Sequence, residues 1–173
     1  IMNETLKTLI TRRSIRKFKS DMIPEDILNQ ILLAGEYAPT AKNMQDPIII
    51  AITNKEMRDK ISKLNAEIMH ANIDPFYNAP VILLVICKKS PLAEYDGSCV
   101  ISNLMNAAWS LGIGSCWIHR AKEEMETPFG KELLKSLNIE GEYVGIGHVA
   151  LGYIDGNIPQ EHPRKENYIY YIK

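Results

Sequence analysis

The chain has 173 residues, 46% of them apolar and 24% charged, enough for one globular domain with a core of its own. Lys and Arg number 20 against 21 Asp and Glu, for a net charge of −1, so a general nucleic-acid-binding surface is excluded and any anion site must be local. No apolar run approaches the length needed to span a membrane, and the longest, Pro80–Cys87, is strand-sized.

The elements follow in chain order. Asn3 is placed to cap a short helix with Leu6, Leu9 and Ile10 on one side. That helix runs into TRRSIRKF (Thr11–Phe18), where three arginines and a lysine surround one serine. Guanidinium groups match phosphate oxygens bidentately, and a serine hydroxyl adds a short donor. A charged helix end that complements the helix dipole is the plainer reading of this stretch taken alone. Pro24 suits the first helical position, and a helix with Ile27 and Ile31 facing the core follows. APTAKNMQDP (Ala38–Pro47) breaks every period and reads as a loop. Its Thr40, Asn43 and Gln45 offer donors and acceptors that could meet a heterocycle or serve ordinary turn bonding.

Ile48–Thr53 is a buried strand, and Asn54 starts a helix with an apolar stripe at Met57, Ile61, Leu64 and Ile68. Asn65 sits at the edge of that stripe, either as a ligand for a polar group in the core or bonding its own backbone. VILLVI is a second buried strand. Asp96–Gly112 is a helix with small or apolar residues almost all round, suited to burial on most sides, in part against another subunit. GIGSCWIH (Gly112–His119) turns into a third strand. Its Gly-x-Gly lacks the third glycine and the following helix of a dinucleotide fingerprint. Thr127-Pro128 opens a helix through Leu137, and Tyr143–Tyr153 is a fourth strand. The last twenty residues read as an extended arm ending in a strand, with Arg164 and Lys165 in a proline-bounded turn.

The pattern predicts an α+β fold: helices over a mostly antiparallel or mixed sheet of four or five strands, covered on both faces. It occupies a single domain, 1–173, with 154–173 as a C-terminal arm. Cys87, Cys99 and Cys116 form no paired motif and read as reduced thiols of a cytoplasmic protein, Cys116 as a packed thiol before a nucleophile. The four scattered histidines give no support to a metal site.

In order along the chain, R-R-S-x-R-x-F, A-P-T-x-x-N-x-Q, an asparagine in the next long helix, L-G-I-G-x-x-W-I and P-R-K resemble the nitroreductase family of FMN-dependent oxidoreductases, in its short-chain branch. The resemblance spans Arg12 to Tyr171. It implies an intertwined homodimer with two FMN molecules at the interface. Arg12, Arg13 and Ser14 would hold the phosphate and ribityl chain, with Arg16 near the N1/O2 end of the flavin. Pro39, Thr40, Ala41 and Asn43 would line the same flavin from the other subunit, and Asn65 would bond the pyrimidine edge. Trp117, Ile118, His119 and Arg120 would run along the opposite edge, the backbone N–H of Arg120 facing N5, while Arg164 would close on the phosphate.

The implied activity is reduction of nitroaromatics, quinones or similar small-molecule acceptors by NADH or NADPH in ping-pong order. A specialised reductase of enones or halogenated aromatics, a flavin-storage protein, and a cofactor-free protein meeting an acidic partner stand beside it. The chain departs from the family in two places. Gln45-Asp46-Pro47 replaces a common Gln-Pro-Trp, and His119 and Arg120 stand where many members have small or acidic residues.

Overall fold

A computed structural model describes residues 1–173. The helices are α1 (Glu4–Thr11), α2 (Glu25–Glu36), α3 (Lys55–Ile68), α4 (Ala93–Ser110), α5 (Ala121–Met125) and α6 (Pro128–Ser136). The strands are β1 (Pro47–Ile52), β2 (Val81–Lys88), β3 (Gly114–Ile118) and β4 (Tyr143–Gly152). They form one sheet in the order β1-β2-β4-β3, with every neighbouring pair antiparallel. This is the α+β class expected, with four strands.

Strand β2 explains why both faces are covered. Its period-2 alternation sends Val81, Leu83, Val85 and Cys87 into one apolar cluster with α2 and α4. Ile82, Leu84 and Ile86 enter a second cluster with Ile61 of α3, Ala121 of α5 and Leu133 of α6. Register slips between Val85 and Ile86, which pair with Gly147 and Gly145. The unpaired Ile146 is a β-bulge. A bulge shifts the alternation by one, so Gly145 and His148 both face α5: an added Cβ at Gly145 would meet the Ala121 backbone, and His148 meets Glu124.

Helix starts are fixed by the polar residues the sequence supplies. Asn3 Oδ1 accepts from the Leu6 N–H at 2.9 Å, and Asn54 Oδ1 from Met57 at 2.8 Å. Pro24 lies one residue before the first helical position rather than in it. Helix α4 begins at Ala93, earlier than its sequence pattern indicates, and α5 is a single turn too short to show a period.

The arm differs from expectation. Ile154 bridges Phe18, but beyond it residues 155–173 form no strand, and Tyr168–Ile172 are exposed. Within one chain the terminal strand has no neighbour to pair with. Helix α1 likewise buries no residue, and Leu6, Leu9 and Ile10 are each about half exposed.

Candidate functional site

The arginine cluster lies along the outer side of β3, an edge strand. Ser14 bridges Ser115 in parallel, and the Ile15 N–H donates to Ser115 O at 2.9 Å. Ile15 is buried as the anchor, while Arg16 on its other side is exposed. The Trp109 indole N–H, from α4, donates to Thr11 Oγ1 at 3.0 Å and fixes the end of α1. Arg12, Arg13, Ser14 and Arg16 then share a cleft of about 870 Å³ with Pro159–His162 and Arg164 of the arm.

The cleft is cationic: four arginines line it against one carboxylate, Glu161, which approaches Arg13 at 3.5 Å. Arg13 Nη1 also donates to the Ile10 and Arg12 carbonyls at 2.9 Å each, and Arg164 donates to His162 O at 2.7 Å. Arg12 Nη1 is buried with no hydrogen-bond partner in the chain. A buried guanidinium nitrogen without an acceptor is costly, and a phosphate oxygen beside it removes that cost. The donor set therefore fits a doubly charged phosphate. Cys116 packs beside this cluster at 3% exposure. Burial raises its thiol above the usual range, outweighing the opposing charges of Arg16 and Arg12 and the Ser14 hydroxyl. It is a packed thiol, not an activated nucleophile.

Pro39, Thr40, Ala41 and Asn43 occupy the turn between α2 and β1. Lys42, Asn43 and Gln45 are all left-handed, with φ of 53°, 52° and 53°. Thr40 Oγ1 accepts from the Gln45 N–H at 3.1 Å, and Gln45 Nε2 donates to Asn43 Oδ1 at 3.2 Å. The loop thus holds its own shape through the polar groups the sequence offered. It stands at the β1 edge, whereas the arginines stand at the β3 edge. Three strand spacings, about 14 Å, separate the two edges, so one chain does not bring these groups together.

Trp117–Arg120 continues from β3 into α5. Trp117 covers Gly147, Ile118 is buried in the core, His119 is exposed and Arg120 half-buried. Arg120 is left-handed, with φ 76° and ψ 9°. Asn65 is fully buried and has three partners within the chain. Its Nδ2 donates to His119 O at 2.9 Å and Glu124 Oε2 at 3.0 Å, and its Oδ1 accepts from Arg120 Nε at 2.8 Å. The amide that the resemblance assigns to a flavin edge is engaged inside the protein, holding the 119–120 turn.

Sequence reasoning missed Glu124 and His148, which are 1% and 0% exposed and meet at 2.6 Å between Oε2 and Nε2. The legible signal was a histidine inside the apolar run GIGHVALG. Glu124 had none, because α5 is too short to show which of its acids faces inward.

The fold and its arginine-lined edge are those of an α+β protein with a cationic cleft beside β3. The chain matches the Nitroreductase family over residues 9–83 and 74–153, and it belongs to that family. It is 32% identical over 161 residues to a protein of Archaeoglobus fulgidus named as a candidate NADH dehydrogenase/NAD(P)H nitroreductase, covering 88% of this chain and 86% of the relative. It is 28% identical to an FMN reductase [NAD(P)H] of Bacillus subtilis, across 92% of this chain and 58% of that protein. Its fold superposes with a TM-score of 0.87 on a nitroreductase with bound FMN from Bacteroides fragilis, at 33% identity, covering 99% of this chain and all of that one. No helix of the chain is long and apolar enough to cross a membrane.

Proposed function

We propose that this chain is an FMN-dependent NAD(P)H oxidoreductase that reduces small acceptors such as nitroaromatics or quinones. The observation that carries the reading is the unpartnered, buried Nη1 of Arg12 in a cleft lined by three further arginines. Family membership and the FMN-bound Bacteroides fragilis neighbour support it. Bound FMN would supply hydride-transfer chemistry, taking two electrons from NADH or NADPH and returning them to the acceptor in ping-pong order.

Arg12, Arg13 and Ser14 would hold the phosphate and ribityl chain, and Arg164 would close over them from the arm. Arg16, exposed at the same edge, would place a cation where reduction adds negative charge. Trp117, Ile118, His119 and Arg120 would form one wall, with the Arg120 backbone N–H serving N5. No carboxylate pair or triad is required, because the residues bind, orient and exclude water.

The second wall, Pro39, Thr40, Ala41 and Asn43, would come from a partner copy. The opposite-edge placement of the two half-sites supports this, as do the unburied α1 and the exposed Tyr168–Ile172. Residues 1–173 would act as one domain whose arm, 154–173, reaches the partner and finds there the strand neighbour it lacks within one chain.

Colour and mass test both parts. The purified protein should be yellow, hold about one FMN per chain, bleach anaerobically with NADH or NADPH, and sediment as a dimer. Colourless protein that takes up no FMN would overturn the reading. Flavin that neither nucleotide bleaches would favour storage over turnover.

A further inference from the structure

We propose that Asn65, Glu124 and His148 are positioning residues, a buried chain that holds Arg120 left-handed and sets its backbone N–H and guanidinium at the flavin edge. The proposal rests on the flavin reading above, and it replaces a direct Asn65–flavin contact with an indirect one.

Arg120 is the reason a holding device is needed. An L-residue at φ 76° crowds its own Cβ against the backbone, and a long side chain has no intrinsic preference for that region. The strain persists only where surrounding bonds over-determine it. Here they do. Asn65 holds the carbonyl of the 119–120 peptide and the side chain that follows it, giving one N–H to His119 O at 2.9 Å and accepting from Arg120 Nε at 2.8 Å.

The Asn65 amide must then point one way only. Reversed, it would set its NH₂ against the guanidinium. His119 O, a carbonyl that can only accept, and Glu124 Oε2, at 3.0 Å, both face Nδ2 and so set the orientation. His148 Nε2, 2.6 Å from the same oxygen, holds the carboxylate from the inner strand β4. The Phe76 ring stands edge-on to His148 at 5.0 Å and holds it in turn. The β4 bulge turns His148 toward α5.

Stability alone does not account for this chain. Glu124 Oε1 and His148 Nδ1 are buried without partners, an arrangement that two packed apolar side chains would improve upon. The four side chains come from α3, α5, β4 and the turn between β3 and α5, and the chain they form ends at one strained residue.

A double-mutant cycle on FMN binding tests it, with apoprotein titrated by flavin fluorescence quenching. Asn65→Ala should weaken FMN binding about tenfold when Arg120 is present, the size expected for losing one to two buried hydrogen bonds. In an R120G background, where glycine takes the left-handed conformation without cost, the same change should cost less than about twofold. The flavin midpoint potential should move with N65A in the first background and stay in the second.

Equal factors in both backgrounds would mean that Asn65 touches the flavin itself, and would overturn the assignment while leaving the flavoprotein reading intact. Wild-type apoprotein that binds no FMN would overturn both. Should N65A not fold, Glu124→Gln keeps the volume and the same cycle applies. Its loss must shrink in R120G, and an unchanged loss overturns the proposal.

Discussion

Asp96 Oδ1 accepts the backbone N–H of Ala41 at 3.0 Å, tying the loop after α2 to the first turn of α4 across 55 positions of sequence. Asp96 is 8% exposed and sits where the helix dipole favours an anion. Removing it leaves a part-buried amide without its charged partner. Asp96→Ala should therefore lower stability by about 1.5–3 kcal/mol, or roughly 4–10 °C in Tm for a chain this size. Asp96→Asn, which still accepts the bond, should lose less. Thermal melts of both variants check the order.

Arg12 makes the opposite prediction for the free protein. Its Nη1 is buried without a partner, so the apoprotein holds an unsatisfied guanidinium donor that alanine removes. Arg12→Ala should leave the apoprotein melting temperature unchanged or higher, while weakening FMN binding by about 1.5–3 kcal/mol per charged hydrogen bond lost. Arg164→Ala, whose guanidinium already donates to His162 O, should weaken FMN without that gain. Apoprotein melts beside fluorescence titrations separate the two effects. An R12A variant that binds FMN as tightly as wild type would break the phosphate assignment.

How far the sequence showed this site depends on how local each signal is. Asn3 and Asn54 cap the helices they were read to cap, because capping needs only residues three apart. The apolar run at Val81 became an inner, buried strand because its alternation feeds two clusters at once. The Thr40–Gln45 turn was legible as a loop, but its anchor Asp96 lies in another element, and no local pattern pairs them. Asn65 was legible as an amide at the edge of an apolar stripe, whereas its partners were not. Glu124 is one of three glutamates in EEME, and only the packing of α5 against β4 selects it for burial. The tail showed strand composition, but a strand needs a neighbour that one chain does not supply.

Asp74 ties α3 to the loop before β2 and predicts a pH dependence. Burial pushes its carboxyl up, but hydrogen bonds from Arg58, Ser62 and the Phe76 N–H outweigh this, and the group sits below its ordinary 3.8. Arg58, 8% exposed, also donates to Ala79 O at 2.8 Å, so losing Asp74 would strand a buried guanidinium. A carboxyl depressed on folding stabilises the fold above its unfolded pKa, and that contribution is lost as pH falls through the folded value. The stability gap between wild type and Asp74→Asn should thus be full at neutral pH and close progressively below 3.8. Urea unfolding at a series of acid pH values measures it. A gap that is flat through that range would show that Asp74 acts by packing rather than by charge.

Gly145 gives the sharpest steric prediction, because its neighbour is backbone. A Cβ there would run into the Ala121 carbonyl and stand 2.8 Å from Lys122 N. Neither atom can swing aside as a side-chain tip does, so α5 must shift as a unit. Such overpacking costs about 1–3 kcal/mol. Ala121 follows Arg120 directly, and Glu124 lies one turn on, so the shift also disturbs the groups that hold the 119–120 turn. Gly112→Ala is the control. Gly112 has open space around it but φ of 76°, so alanine there carries only a backbone cost of about 1–2 kcal/mol. Both variants should melt lower than wild type. Only Gly145→Ala should also weaken FMN binding, read by fluorescence titration of the folded apoprotein. Equal FMN affinity in the two variants would show that the packing of α5 on β4 does not reach the flavin site.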